Sequence, residues 1–270
     1  MRTTKKDIYA AFGIEYRAKD GKILSPVFGW IKPLLKHGNT KIGLVWQLSM
    51  LPREISYTFT VNGKEHTVCG TCLSTCRDKD GKITCYACAG HFQRHTVRAS
   101  LGMNTWFARY ALDFMRRAIM AQIAADKVEI CRVHVAGDFF SVEYAEMWKG
   151  IAEKYPAVCF WTYTKNAAAE KIFDGVENFH VVKSVIPGKG FNYGRCDYII
   201  ALYDFLTKSG KSVYICLCGF DDSTHCDSCG ACRTCDFVLF LEHSTDYKAK
   251  EDPLYAVLYK IAMSQKRIVA

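Results

Sequence analysis

The chain has 270 residues, half of them hydrophobic and 23% charged, a length and balance that let it bury its own core and exclude disorder as its main state. No uncharged apolar run of about 18 residues is present, which excludes a membrane-spanning helix. The N-terminus is basic but lacks the apolar stretch of a secretory signal, so the expected compartment is the cytoplasm. The formal charge is +9, and residues 1–41 carry nine basic against three acidic residues. Residues 1–40 therefore read as a basic arm, either a partner surface for nucleic acid or simply a solvated segment.

The apolar run at 43–51 reads as a first strand. Residues 105–125 place Phe107, Tyr110, Phe114 and Ala118 at helical spacing, with Asn104 as the cap. A strand follows, carrying Val128, Ile130, Val133 and Val135. Ser141 then caps a helix with Val142, Ala145, Trp148 and Ile151 on its apolar face. Residues 157–164 form a strand, 167–173 a short helix, 178–186 a strand, 196–208 a helix and 211–218 a strand. Asp252 and Pro253 open a closing helix over 252–266, with Leu254, Val257, Leu258 and Ile261 facing inward. Alternating strands and helices predict an α/β fold with mostly parallel strands. The expected form is a (β/α) barrel or partial barrel with cysteine-rich metal-binding loops. Its core domain covers residues 41–250, and residues 251–270 pack on it as a C-terminal helix.

Cysteine is the unusual component. Of 14 cysteines, eleven fall in two groups. Cys131, Cys159 and Cys196 stand apart, and Cys131 and Cys159, in or beside apolar runs, read as small hydrophobes. In a large chain without a signal, clustered cysteines read as metal ligands. The first group is Cys69, Cys72, Cys76, Cys85 and Cys88, with Asn62-Gly63 and Asp80-Gly81 as hairpin turn signals. Two readings of it compete. Cys69-x2-Cys72 and Cys85-x2-Cys88 match the paired knuckles of a zinc ribbon and leave Cys76 over. The same thiolates suit an iron–sulfur cluster.

The second group is Cys216, Cys218, Cys226, Cys229, Cys232 and Cys235. Three successive x2 spacings resemble the loops that wrap a ferredoxin cluster, although the motif's x3-Cys-Pro ending is absent. Zinc is the alternative, and His225 and His243 are further candidate ligands. Among other polar residues, Gly137-Asp138 ends a strand, where a glycine lets a ligand approach the backbone; it reads equally as a strand-to-helix turn. Tyr163, Lys165, Lys183 and Ser184 also fall near strand ends. His134 lies in a strand whose facing is open. Arg94, His95 and Arg98 follow the first cysteine loop. Gly188, Gly190 and Gly194 do not match the dinucleotide fingerprint and read as a loop.

Several phrases carry a family resemblance: KIGLVWQLSMLP, the cysteine group ending in CYA, Arg98 to Asn104, RVHVAGDFFS with the following Trp148, FWTYTK, and the late CxxCxxC with FLEH. Over roughly residues 39–245 the chain resembles the phage gene product 88 family of mobile elements. The Cys-Tyr-Ala at 85–87 and the Ala-Gly-Asp strand end also resemble radical S-adenosylmethionine enzymes. That resemblance implies a 4Fe–4S cluster held by three cysteines, one open iron that binds the cofactor, and a 5′-deoxyadenosyl radical. Cys72, Cys76 and Cys85 are then the implied ligands, with an eight-residue insertion between the last two. Gly137, Asp138 and Lys165 would face S-adenosylmethionine, and the second group would hold an auxiliary cluster. Two other functions are carried alongside: a zinc-stabilised nucleic-acid-binding protein, and a non-catalytic iron–sulfur redox or structural module.

Overall fold

The computed structural model of the chain describes residues 3–39, 43–72, 85–88, 90–186, 190–217, 220, 224–241 and 248–265. They fall into two compact units. The first comprises Met1–His37, Trp46–Phe160 and Asn166–Phe179; the second comprises Gly38–Val45, Trp161–Lys165 and His180–Ala270.

The first unit opens with helix α1 (Lys5–Ala11). Thr4 and Asp7 close a capping box there: each side chain accepts from the other's backbone N–H. Strands β1 (Tyr16–Arg17), β2 (Lys22–Ser25) and β3 (Gly29–Ile31) pair antiparallel in that order. The residues read as a basic arm are thus folded, with Tyr9, Ile14 and Ile23 buried. Lys5 pairs with Asp126 at 2.5 Å, and Arg117 donates to the carbonyls of Phe12 and Gly13.

Strands β4 (Lys36–Asn39) and β5 (Gly43–Leu48) precede a hairpin of β6 (Ser56–Val61) and β7 (Lys64–Cys69). Its turn residues Asn62 and Gly63 have φ of 50° and 75°, which a two-residue turn of this hand requires. Helices α2 (His95–Tyr110) and α3 (Leu112–Asp126) follow. The helix expected from Asn104 onward is therefore two helices, broken at Ala111 (φ −146°, ψ 49°). Asn104 caps nothing; it sits buried inside α2 and donates to the Ser49 carbonyl at 2.9 Å.

Next come β8 (Ile130–Val133), α4 (Val142–Lys154), β9 (Cys159–Thr164), α5 (Ala167–Ile172) and β10 (Phe179–Lys183). The Ser141 hydroxyl caps α4 by accepting from the Tyr144 N–H at 3.2 Å. Ala145, Trp148 and Ile151 are buried as expected, while Val142 is 56% exposed because it lies in the first turn, off the apolar stripe. The strand order is β10-β9-β8-β5-β4, and β5 runs parallel to β8 with Trp46 opposite the buried Cys131.

In the second unit, β11 (Val185–Ile186) pairs with β12 (Gly190–Phe191). Then come β13 (Tyr193–Gly194), α6 (Cys196–Lys208), β14 (Val213–Ile215), α7 (Cys226–Cys229), β15 (Phe237–Leu241) and α8 (Tyr255–Ser264). β15 lies between β13 and β14 and runs parallel to both. α6 packs its Ile199, Leu202 and Leu206 on Tyr214, Val238, Leu239 and Leu258. The Gln265 side chain ties the C-terminal end of α8 to β14, accepting from Ile215 N–H and donating to Val213 O. In α8, Leu258 is buried and Ile261 half-packed, but Leu254 and Val257 face out, since the helix starts only at Tyr255.

Candidate metal centre

The first cysteine group begins where β5 and β8 end. Past β5 the chain stays extended beside β8: Val135 N–H bonds Leu48 O at 3.1 Å and Met50 N–H bonds Ala136 O at 2.8 Å. Thr105 of α2 anchors this segment by accepting from Leu51 N–H at 2.9 Å. The Cys69–Cys72 loop is then laid across it. Gly70 passes so close that a Cβ would stand 1.8 Å from Pro52 O. Thr71 N–H donates to Leu51 O at 2.9 Å. The Thr71 hydroxyl oxygen accepts from Asp138 N–H at 3.1 Å. Gly137 has φ of +86°, and a Cβ there would meet Met50 Cβ at 2.8 Å and Thr71 Oγ1 at 2.9 Å.

The strand expected to run through Val135 ends at Val133, and this geometry joins the cysteine loop to the Ala-Gly-Asp segment that follows it, beyond the C-terminal edge of the sheet, where parallel α/β folds carry their ligands. Asp138 is buried, and its Oδ1 accepts from Phe139 N–H at 2.8 Å. Arg109 holds the loop from α2, donating to Gly70 O at 3.1 Å while its guanidinium stacks 4.5 Å from the Phe140 ring.

Cys69 is exposed at the end of β7, and Cys72 is half-buried. Cys85 is half-buried and packs against a cluster of Leu51, Val68, Ala87, Phe92, Leu101 and Ala136. Cys88 is buried in the single turn Tyr86–Cys88, its N–H bonded to Cys85 O at 2.9 Å and its carbonyl to the Gln93 side chain. Cys76 and the Asp80-Gly81 turn lie outside the described residues. Among those described, no three His, Cys, Asp or Glu side chains stand together to hold an ion. Arg94 and His95 are exposed, and His95 bonds the Tyr57 hydroxyl at 2.8 Å.

His134 follows β8 with a φ of +65°. It faces α4 rather than the cysteine loop, with Nε2 2.9 Å from the Tyr144 hydroxyl and its ring edge-on to Phe139. Burial, with Arg132 adding to it, lowers its pKa to about 3. Its Nδ1 is buried with no hydrogen-bond partner among the described residues.

In the second unit, Lys165 is half-buried in the bend that ends β9, and Lys183 is exposed at the end of β10. Ser184 N–H bonds Thr164 O at 3.1 Å. Of the second cysteine group, Cys216 follows β14, its N–H bonded to Leu239 O at 2.8 Å. Cys226 and Cys229 bound α7, which Gly230 ends at φ 72°. A single turn, Ala231–Arg233, carries Cys232 on to the buried Cys235. Cys216, Cys229, Cys232 and Cys235 pack on the apolar cluster beneath α6. Two phenols reach this group. The Tyr163 hydroxyl lies 2.5 Å from Cys232 Sγ, and the Tyr214 hydroxyl 3.5 Å from Cys229 Sγ. His225 lies just before α7, where its carbonyl accepts from Cys229 N–H. Cys218 and His243 lie outside the described residues.

Thr71, Thr105, Arg109 and Tyr214 had no signal of their own in the sequence; only the CGTC setting of Thr71 hinted at it. No helix among the described residues is long and apolar enough to cross a membrane.

Fold and site define an α/β protein that carries a thiol-rich loop at the ends of its parallel strands. The chain belongs to the gene product 88 family, whose model matches residues 33–190. The match contains the first cysteine group and Gly137-Asp138 and stops before the second group. Comparison with curated proteins and with solved structures found no match.

Proposed function

We propose that this chain is an iron–sulfur protein of phage or mobile-element origin, a radical S-adenosylmethionine-like enzyme on a (β/α) barrel or part-barrel. The barrel is supported by the order β10-β9-β8-β5, in which successive strands after β5 add on one side, with helices between them. The observation that carries the functional reading is the Thr71–Asp138 hydrogen bond, 3.1 Å long. It brings the cysteine loop to the strand end that a cofactor of this class would need, although the two are 67 residues apart in sequence.

The donor set fits such a group. Thiolates are soft ligands for iron, and the loop offers Cys72 and Cys85 half-buried, with Cys76 between them in the chain. A reduced cluster supplies one electron to the sulfonium of S-adenosylmethionine when both are bound. The chain's residues do the positioning. Gly137, with no Cβ, lets Met50 and Thr71 close on the backbone beside Asp138. Asp138, whose Oδ1 accepts from Phe139 N–H, places a carboxylate next to the loop, where an ammonium would pair.

The second reading, a zinc-stabilised nucleic-acid binder, is favoured by one feature: the β6–β7 hairpin delivers Cys69 directly into a CxxC knuckle, as a zinc ribbon would. A non-catalytic cluster module is the third.

The test is metal content. Iron, sulfide and zinc per chain are measured in anaerobically purified wild type and in Cys72→Ser, Cys76→Ser and Cys85→Ser. Each variant should lose about four iron. Zinc in wild type, retained in Cys76→Ser but lost in Cys72→Ser, Cys85→Ser, Cys69→Ser and Cys88→Ser, would select the ribbon.

A further inference from the structure

The second cysteine group lies outside the family match, and two tyrosines from different strands converge on it. Tyr163, on β9, places its hydroxyl 2.5 Å from Cys232 Sγ; Tyr214, on β14, places its own 3.5 Å from Cys229 Sγ. These are the two sulfurs of one CxxC step, Cys229-x2-Cys232. We propose that Tyr163 and Tyr214 are positioning residues whose hydroxyls donate to the Cys232 and Cys229 sulfurs of a second iron–sulfur centre, setting its reduction potential. The inference rests on the iron–sulfur reading of residues 216–235.

Proton bookkeeping gives the direction of these bonds. Between a thiol and a phenol either group can donate. A thiolate bound to iron carries only lone pairs, so the phenol must donate. The surroundings strengthen the bond. Cys229 and Cys232 both pack against the apolar cluster that includes Ile215, Leu239 and Leu258, and a hydrogen bond is stronger in such low-dielectric surroundings.

A third donor adds an independent observation. The Trp161 indole N–H is buried and bonds nothing among the described residues. Trp161 stands two residues before Tyr163 in β9, hence on the same face. The Arg233 guanidinium, next in chain to Cys232, lies 6.0 Å from its ring. A buried N–H with no acceptor among the described residues is a donor that an anionic group on this face of β9 would satisfy. Hydrogen bonds to cluster sulfurs favour the reduced, more negative state and so raise the potential.

The experiment uses the full chain, purified anaerobically, as wild type, Tyr163→Phe, Tyr214→Phe and the double variant Cys229→Ser/Cys232→Ser. Iron is counted, and each centre's midpoint is read by redox titration with electron paramagnetic resonance. The cysteine double variant identifies the second centre by its missing signal. Tyr163→Phe keeps the ring's contact with Phe240, 5.4 Å away. It should retain iron and shift the second centre to a more negative midpoint while the other centre stays put. Tyr214→Phe should shift it in the same direction. If the double variant binds as much iron as wild type, residues 216–235 hold no cluster, and the reading and the inference fall together. If the centre is present but neither phenylalanine variant moves its midpoint, the inference alone falls.

Discussion

Replacing Gly137 by alanine puts the heart of the first site under direct load. Two costs add. The backbone stands at φ +86°, where a residue with a Cβ pays about 1–2 kcal/mol. The new methyl would also sit 2.8 Å from the Cβ of the fully buried Met50 and 2.9 Å from Thr71 Oγ1. Neither atom is the free end of a flexible chain: Met50 N–H is bonded to Ala136 O, and Thr71 N–H to Leu51 O. Relieving such an overlap in a packed core typically costs about 1–3 kcal/mol. The sum, about 2–5 kcal/mol, is a large part of the stability of an ordinary domain. Gly175→Ala supplies the reference, because Gly175 has φ +78° and nothing within 4 Å of its would-be Cβ. It carries the backbone cost alone. Urea unfolding of both variants, at unchanged m-value, separates the two terms. Gly137→Ala should lose about 1–3 kcal/mol more than Gly175→Ala, and its iron content should fall because Thr71 and the adjoining Cys72 must move. Equal losses in the two variants would refute the packing argument.

Three further outcomes follow from the same geometry. Thr71→Val keeps the shape but leaves the buried Asp138 N–H without that acceptor, so it should cost about 1–3 kcal/mol in urea unfolding and lower iron occupancy. Gly70→Ala should be at least as damaging, because its methyl would overlap Pro52 O; normal expression and metal content would count against the described path of the loop. His134 supplies a pH signature: burial lowers its folded pKa to about 3 from the ordinary 6.5, so the unfolded chain binds the proton first. Its contribution is fully present above pH 6.5 and is lost as pH falls toward 3, at up to about 1.4 kcal/mol per pH unit. His134→Asn tolerates the positive φ and should flatten that part of the stability–pH curve; an unchanged curve would show that the histidine is not buried neutral.

How much of this was legible in advance depended on the range of the interaction. Helix α6 spans Cys196–Lys208 as read, because its apolar residues recur at helical spacing and Lys208 is followed by Ser209-Gly210. The Asn62-Gly63 turn and the Ser141 cap are local chemistry and were equally readable. The break between α2 and α3 was not, since neither glycine nor proline marks Ala111 and the apolar pattern runs straight through it. The N-terminal strands are two to four residues long, too short for an alternating pattern to stand out against the basic charge around them. β15 is a continuous apolar run, FVLFL, whose period is uninformative and whose flanking cysteines drew the metal reading instead.

The same holds for the sites. Cysteine spacing pointed to metal chemistry and Gly137-Asp138 to a strand end. That Thr71 links the two is a contact between residues 67 apart in the chain, and no local pattern carries it. The tyrosine–sulfur pairs, 69 and 15 residues apart, are legible only once the strands are placed.

The central claim is an open iron that binds S-adenosylmethionine. It is tested most directly by electron paramagnetic resonance of the anaerobically purified, reduced protein with and without that cofactor. About eight iron per chain and a cluster spectrum that shifts on adding S-adenosylmethionine are the expected result, with the shift lost in Cys72→Ser. Near two zinc and no iron, or an iron spectrum indifferent to the cofactor, would contradict it.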